Sequence, residues 1–303
     1  MRKILIAFVA ALVLFSCGQS YEETKRITRA QRLKMMREDS AALKVAVLPT
    51  LDCLPVFLAK DHQMFDTVVD IRLKQFTAQM DIDTALMNKR VEIGVTDLVR
   101  AERMMKLGDS LRYLTATNAY WQLVTNRGAR ITDLKHLDDK MLAMTRYSAT
   151  DLLGDLAVDS AKLKSERVFR IQVNDVHIRL KMLENNEMDA LLLTEPQATA
   201  ARLLRHKVIL DSRKLDIQLG AFVAQGKGMD NAKRQQQLKV FIDGYNQACD
   251  SLNKYGLGSY RALIRKYCQA KDATVAALPK DLKFTRMTPP REKDIERARK
   301  WLK

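Results

Sequence analysis

Apolar residues along this chain switch repeatedly between a period of two and a period near 3.6. Leu43-Lys44-Val45-Ala46-Val47-Leu48 is rich in branched residues and is ended by Pro49, which predicts a strand. Leu54 to Met64 carries apolar residues at helical spacing, with Pro55 tolerated in the first turn. Val68 to Phe76 alternates again, placing Val69, Ile71, Leu73 and Phe76 on one side. Met80 to Lys89 then predicts a helix, Val91 to Thr96 a short strand and Val99 to Leu107 another helix. Leu111 to Thr117 and Trp121 to Thr125 follow as extended segments with no helix between them.

A second cycle repeats the pattern. Ile131 to Leu137 reads as a short helix or turn, Met141 to Thr145 as a strand and Ser148 to Lys164 as a helix. Val168 to Val173 (strand), Val176 to Asn185 (helix) and Ala190 to Thr194 (strand) come next. Glu195-Pro196 opens a helix through Leu204, and Lys207 to Leu210 is a strand. Ile217 to Ala224 is extended, Met229 to Asn253 is a long helix, and the rest is helical with breaks near Gly256-Leu257-Gly258 and Pro289-Pro290. Strands alternating with helices imply βαβ units and a mostly parallel sheet. The chain leaves one α/β unit, builds a second and returns. Residues 42–118 with 222–303 form one lobe and 119–221 the other, an α/β clamshell with two extended crossings.

The N-terminus changes the picture by deciding where the chain works. Arg2 and Lys3 precede an apolar run from Ile4 to Phe15, and Ser16-Cys17 follow, which is the pattern of an export signal. A run of that length rises about 18 Å as a helix, too short for a hydrocarbon core of about 30 Å. The ending Leu14-Phe15-Ser16-Cys17 resembles a bacterial lipobox, in which Cys17 is diacylated and becomes the mature N-terminus, although Phe15 departs from the usual small or branched residue. An ordinary cleaved signal with a chance cysteine is the alternative. Residues 18–41, with Lys25, Arg26, Arg29, Arg32, Lys34 and Arg37, read as a polar spacer, partly helical from Thr28.

Hydrophobic residues make up 47% of the 303, enough for a sizeable core. The net charge of +16 would point to nucleic acid in a cytosolic protein. Here the basic residues are scattered singly, without aromatic interleaving, so nucleic acid is excluded and a solvated or membrane-facing surface is expected. Beyond Cys17 the odd number of cysteines leaves at least one of Cys53, Cys249 and Cys268 unpaired unless it bridges to another chain. No C-x-x-C pair occurs and the histidines are dispersed, so neither a metal site nor a cofactor is expected.

The segments Lys44 to Asp52 and Leu54 to Lys60 resemble the opening of type 2 periplasmic solute-binding proteins, in the nitrate/sulfonate/thiamine-pyrimidine-precursor branch. Asp61-His62-Gln63-Met64-Phe65 is similar to that branch's x-x-G-x-F step, with Gln63 replacing the usual glycine. Ala78 to Asp81, Thr84 to Leu86, Glu92 to Asp97 and Leu193 to Ala198 resemble its following helix, third strand and second-lobe strand end. The resemblance implies two lobes that close over a small molecule and hand it to an ABC-type transporter permease, with a lipid tether keeping the receptor at the membrane.

In open α/β sheets the ligand crevice lies beyond the carboxyl ends of the strands. That rule selects Thr50 and Asp52, then Thr77, Gln79 and Asp81, then Thr96 and Asp97. From the second unit it selects Arg146, Ser148 and Thr150, and Glu195; Asn118, Tyr120 and Trp121 stand at a crossing. Asp81, Asp97, Ser148 and Thr150 fit helix N-caps as well as ligand contacts, Trp121 fits hinge packing and Cys53 a small buried residue. Because Asp52, Asp81, Asp97 and Glu195 outnumber Arg146, the expected ligand is neutral or cationic, an amine or a pyrimidine-like heterocycle, whereas a nitrate or sulfonate site should show convergent Arg, Lys or free N–H groups. Two other classes stay open: an envelope protein docking a protein partner through a degenerate pocket, and an enzyme on the same fold. The enzyme reading is disfavoured, because His62, His136, His177 and His206 lie in separate elements and no nucleophile–base pair is apparent.

Overall fold

The computed structural model describes residues 21–65 and 69–303; the segment expected to be an export signal, Cys17 and Val68 lie outside the described residues. Tyr21–Ala41 forms one helix (α1), exposed over residues 28–38, with Lys34 and Glu38 one turn apart at 4.0 Å.

From Leu43 onward the alternating text folds into two five-stranded sheets. The first contains β1 (Leu43–Val47), β2 (Ile71–Gln75), β3 (Ile93–Asp97), β4 (Leu111–Ala116) and β10 (Gly220–Gln225), in the order β2-β1-β3-β10-β4. Helices α2 (Leu54–Asp61), α3 (Gln79–Met87) and α4 (Leu98–Lys106) follow its first three strands. The second sheet contains β5 (Gln122–Thr125), β6 (Lys140–Met144), β7 (Val168–Gln172), β8 (Ala190–Leu193) and β9 (Lys207–Asp211), in the order β7-β6-β8-β5-β9, with α5 (Ala149–Ser160), α6 (Val176–Glu184) and α7 (Gln197–Leu203) between strands. The orders match position for position. In each sheet β1 or β6 pairs in parallel with both neighbours, while one strand runs antiparallel: β10 between β3 and β4, β5 between β8 and β9. Those two strands are the ones the chain enters immediately after crossing between lobes, so they join the sheet from the opposite end.

β1, β3 and β10 are buried along their whole length, which is why their sequences do not alternate between apolar and polar residues. The first core gathers Phe57 of α2, Phe222 of β10 and Phe241 of the long helix α8 (Ala232–Tyr255). It also holds three free, buried thiols, Cys53, Cys249 and Cys268, the last ending α9 (Arg261–Cys268). After α10 (Asp272–Ala276), residues 277–291 are irregular rather than helical as expected. Their backbone is satisfied by other means. Thr288 O accepts from Ala116 N–H (2.7 Å) on the outer edge of β4, and Asn253 of α8 bonds both Phe284 O (2.6 Å) and Phe284 N–H (3.0 Å). A segment so paired needs no helix, and it covers a sheet edge.

The last helix, α11 (Glu292–Trp301), ties the lobes together on the crossing side. Arg299 bonds Glu102 of α4 (2.8 Å), while the Trp301 indole N–H donates to Asp155 of α5 (2.7 Å). One apolar cluster runs from Leu98 and Val99 of α4 through Ile295 and Ala298 to Leu142 and Leu153 of the second lobe.

Candidate functional site

The carboxyl ends of β1 and β3 face those of β6, β7 and β8 across a cleft, and the lobes meet directly around it. Leu51 N–H donates to Glu195 O (2.9 Å), Val176 N–H to Thr77 O (3.2 Å), the Gln197 amide to Pro49 O (3.1 Å) and Arg100 Nη1 to Arg146 O (3.1 Å). The lobes are therefore closed. Between them remains a cavity of about 50 Å³. One water-sized group needs roughly 10–15 Å³ of such space, so the cavity takes roughly three to five of them.

Of the residues selected from sequence, the cavity brings together Thr50, Asp52, Gln79, Thr96, Asp97, Trp121, Ser148 and Thr150. Asp52 stands on a short 3₁₀ turn over Leu51–Cys53 and accepts from the Thr117 hydroxyl (3.2 Å); burial raises its pKa. Gln79 opens α3 and donates to Val95 O (3.0 Å). Asp97 ends β3 and caps α4 by accepting from Arg100 N–H (3.0 Å), so cap and cavity wall are one side chain; burial pushes its pKa up to about 6. Ser148 caps α5, accepting from Thr150 N–H (3.1 Å) and donating to Thr145 O (2.7 Å).

The other six selected residues fall outside the cavity lining, each for a local reason; Thr77 meets the second lobe through its backbone, its carbonyl accepting from Val176 N–H. Asp81 sits in the first turn of α3, past the helix start, and is exposed. The Asn118 amide donates to Lys283 O (3.0 Å). Tyr120 gives its hydroxyl to Glu195 Oε1 (2.6 Å), and its ring lies 3.9 Å below the Arg213 guanidinium. Glu195 is buried with both oxygens engaged, by Tyr120 and Arg202 (2.7 Å) at one and Thr199 N–H (3.0 Å) at the other. Arg146 is exposed and lines a separate surface pocket with Tyr147 and Asp151.

Sequence reasoning missed Arg179, Thr145, Asn174 and Thr194, which line the cavity. Arg179 matters most. It is 5% exposed, and its guanidinium donates to Val173 O (2.6 Å), Leu192 O (3.1 Å) and the Thr145 hydroxyl. All three acceptors are neutral; among the described residues no carboxylate is in contact with it, and Asp175 and Asp97 attract it only from a distance. Burial lowers its pKa to about 10, so the group stays charged at neutral pH. Two of its five N–H groups are left over. A signal existed: position 179 shares the stripe of Val176, Leu180 and Leu183, where a charge must be buried. The charge balance thereby shifts toward the cation. Asp81 and Glu195 leave the count, a buried guanidinium enters, and Asp52 and Asp97 remain on the wall as acids whose pKa burial raises, that of Asp97 to about 6. Among the described residues no group of three or more His, Cys, Asp or Glu side chains is placed to hold a metal ion.

No family model matches the chain, and no curated protein matches it by sequence. Solved structures do match in shape. The ligand-binding component of an ABC-type import system from Staphylococcus aureus, with zinc bound, is 15% identical with a TM-score of 0.72, covering 86% of this chain and 91% of that one. The alkanesulfonate-binding protein of Xanthomonas axonopodis pv. citri, bound to MOPS, is 16% identical with a TM-score of 0.72 and the same coverage. The periplasmic nitrate-binding protein of Synechocystis is 11% identical with a TM-score of 0.66, covering 77% of this chain and 68% of that one. At such identities the likeness is one of fold. The chain has the two-lobed α/β clamshell fold of periplasmic binding proteins.

Proposed function

We propose that this protein is an exported solute receptor, tethered by lipid at Cys17, that closes over a small anion and delivers it to an ABC-type permease. The observation that carries the ligand class is Arg179, a buried guanidinium on the cavity wall without a carboxylate partner. A buried charge without a counter-ion is costly, and a bound anion supplies one through charge-assisted hydrogen bonds. The cavity volume limits the solute to a nitrate- or methanesulfonate-sized monoanion, which replaces the amine or pyrimidine expected from the residue count alone. The neighbouring folds that bind alkanesulfonates and nitrate support the receptor reading and its delivery role.

Isothermal titration with nitrate, formate, methanesulfonate, methylammonium and an aminopyrimidine tests this. The expected result is saturable binding of one or more of the anions. Binding weakens as pH rises through about 6, because Asp97 then becomes an anion on the same wall. Arg179→Gln should weaken it at least tenfold, about 1.4 kcal/mol. Binding of the cation or heterocycle alone would overturn the ligand class. Silence across the set would favour the second reading, a closed clamshell that docks a protein partner, which the direct lobe-to-lobe contacts also allow.

A further inference from the structure

A second pocket of about 200 Å³, several times the space of the cleft, lies between helices of opposite lobes. Leu180 of α6, Ala200 and Leu203 of α7 and Leu204 just past it form one wall; Ala270, just past α9, and Ala273 of α10 form the other. Leu203 and Leu204 are 47% and 39% exposed, so apolar side chains stand open to water at its rim. Two polar residues in the lining fix its chemistry further. Gln197 is 3% exposed; its amide nitrogen donates to Pro49 O, and its Oε1 is buried without a hydrogen-bond partner. His177 Nε2 is likewise buried and unpartnered, and burial lowers the pKa of this imidazole, which keeps it neutral at pH 7.

Gln197 Oε1 is shielded from the open pocket by its neighbours, and an amide oxygen only accepts, so an occupant that displaces them and reaches it must bring an N–H or O–H. The charges in the lining, Glu184 and Lys271, are exposed and opposite in sign, and so select neither cation nor anion. We propose that this pocket is a second ligand site, for a neutral, largely apolar molecule carrying one hydrogen-bond donor, such as an aromatic amine or a phenol. Its walls belong to different lobes, so an occupant bridges them beside the Gln197–Pro49 contact. The site exists only while the lobes are closed.

The test is fluorescence titration of the full chain with N-phenyl-1-naphthylamine, a neutral arylamine that brightens on leaving water. The expected result is a saturable one-to-one rise in the micromolar range. Ala200→Phe and Ala273→Phe fill the pocket from opposite walls, and each should weaken binding at least tenfold with the circular-dichroism spectrum unchanged. Gln197→Leu, which removes the acceptor, should weaken it several-fold. A rise that does not saturate, or saturable binding that the folded filler variants retain, overturns the proposal. Ala273 is exposed, so its variant keeps the test decisive if Ala200→Phe fails to fold. The dye carries no anionic group, so failure here is distinguishable from failure of the anion reading of the cleft.

Discussion

Asp97 ends a strand, caps a helix and lines the cavity, and these duties conflict. Capping and the nearby Arg100 favour its charge; burial opposes it and wins, lifting the pKa to about 6. The folded value lies above the unfolded one, so the native state holds this proton more tightly. Its contribution to stability is present below about pH 4 and is lost as pH rises through about 6. Asp97→Asn keeps a capping oxygen but cannot ionise. Its stability relative to wild type should therefore rise between pH 4 and 6, by on the order of 2 kcal/mol, as read from urea midpoints at each pH. A gap that stays flat with pH would show that Asp97 has the same pKa folded and unfolded. At this scale the sequence was only partly legible. It put Asp97 at a strand end but could not separate it from Asp81, because that depends on whether the following helix begins before or after the residue.

Between elements, the narrowest contact is where the two crossings pass each other. Gly220 starts β10 and accepts through its carbonyl from Thr117 N–H at 2.9 Å. A Cβ there would lie 2.2 Å from the Thr117 hydroxyl and 2.6 Å from Ala119 Cβ. Gly220→Ala must push the crossings apart. It should cost about 1–3 kcal/mol, read as a lower urea midpoint with an unchanged slope. Because Ala119 lines the cavity, the same variant should also bind solute more weakly. Wild-type stability would mean that the crossings separate freely. Strands and helices were legible here because their periods differ, from Leu43–Val47 through the end of α8. The antiparallel sense of β5 and β10 was not, since direction within a sheet leaves no mark on a buried apolar run. Nor was the irregular stretch 277–291, whose backbone partners, Asn253 and the edge of β4, lie far away in sequence.

At the scale of the whole molecule, the two-lobed fold was legible because the strand–helix alternation occurs twice, with extended crossings between the cycles. The character of the cleft was not, because it depends on Arg179 reaching the cavity between Thr145, Val173 and Leu192, three residues on separate strand ends. The closed arrangement is braced from behind by α11, which touches α4 and α5 together.

Cys53, Cys249 and Cys268 share the first core, at 1% exposure or less. Burial raises each thiol's pKa, that of Cys249 to about 12, so none supplies an appreciable amount of thiolate in the native state. The first lobe thus carries its own unfolding gauge. In a Cys17→Ser chain, Ellman's reagent should leave all three thiols untouched at neutral pH until that core opens. They should then react in one phase, whose rate reports how often the lobe comes apart. A thiol that reacts well ahead of the others would mark a region that opens alone. A cleft ligand that slows Cys53 with the rest would show that closing over solute and holding the core shut are the same event, measured by a reagent that never enters the cleft.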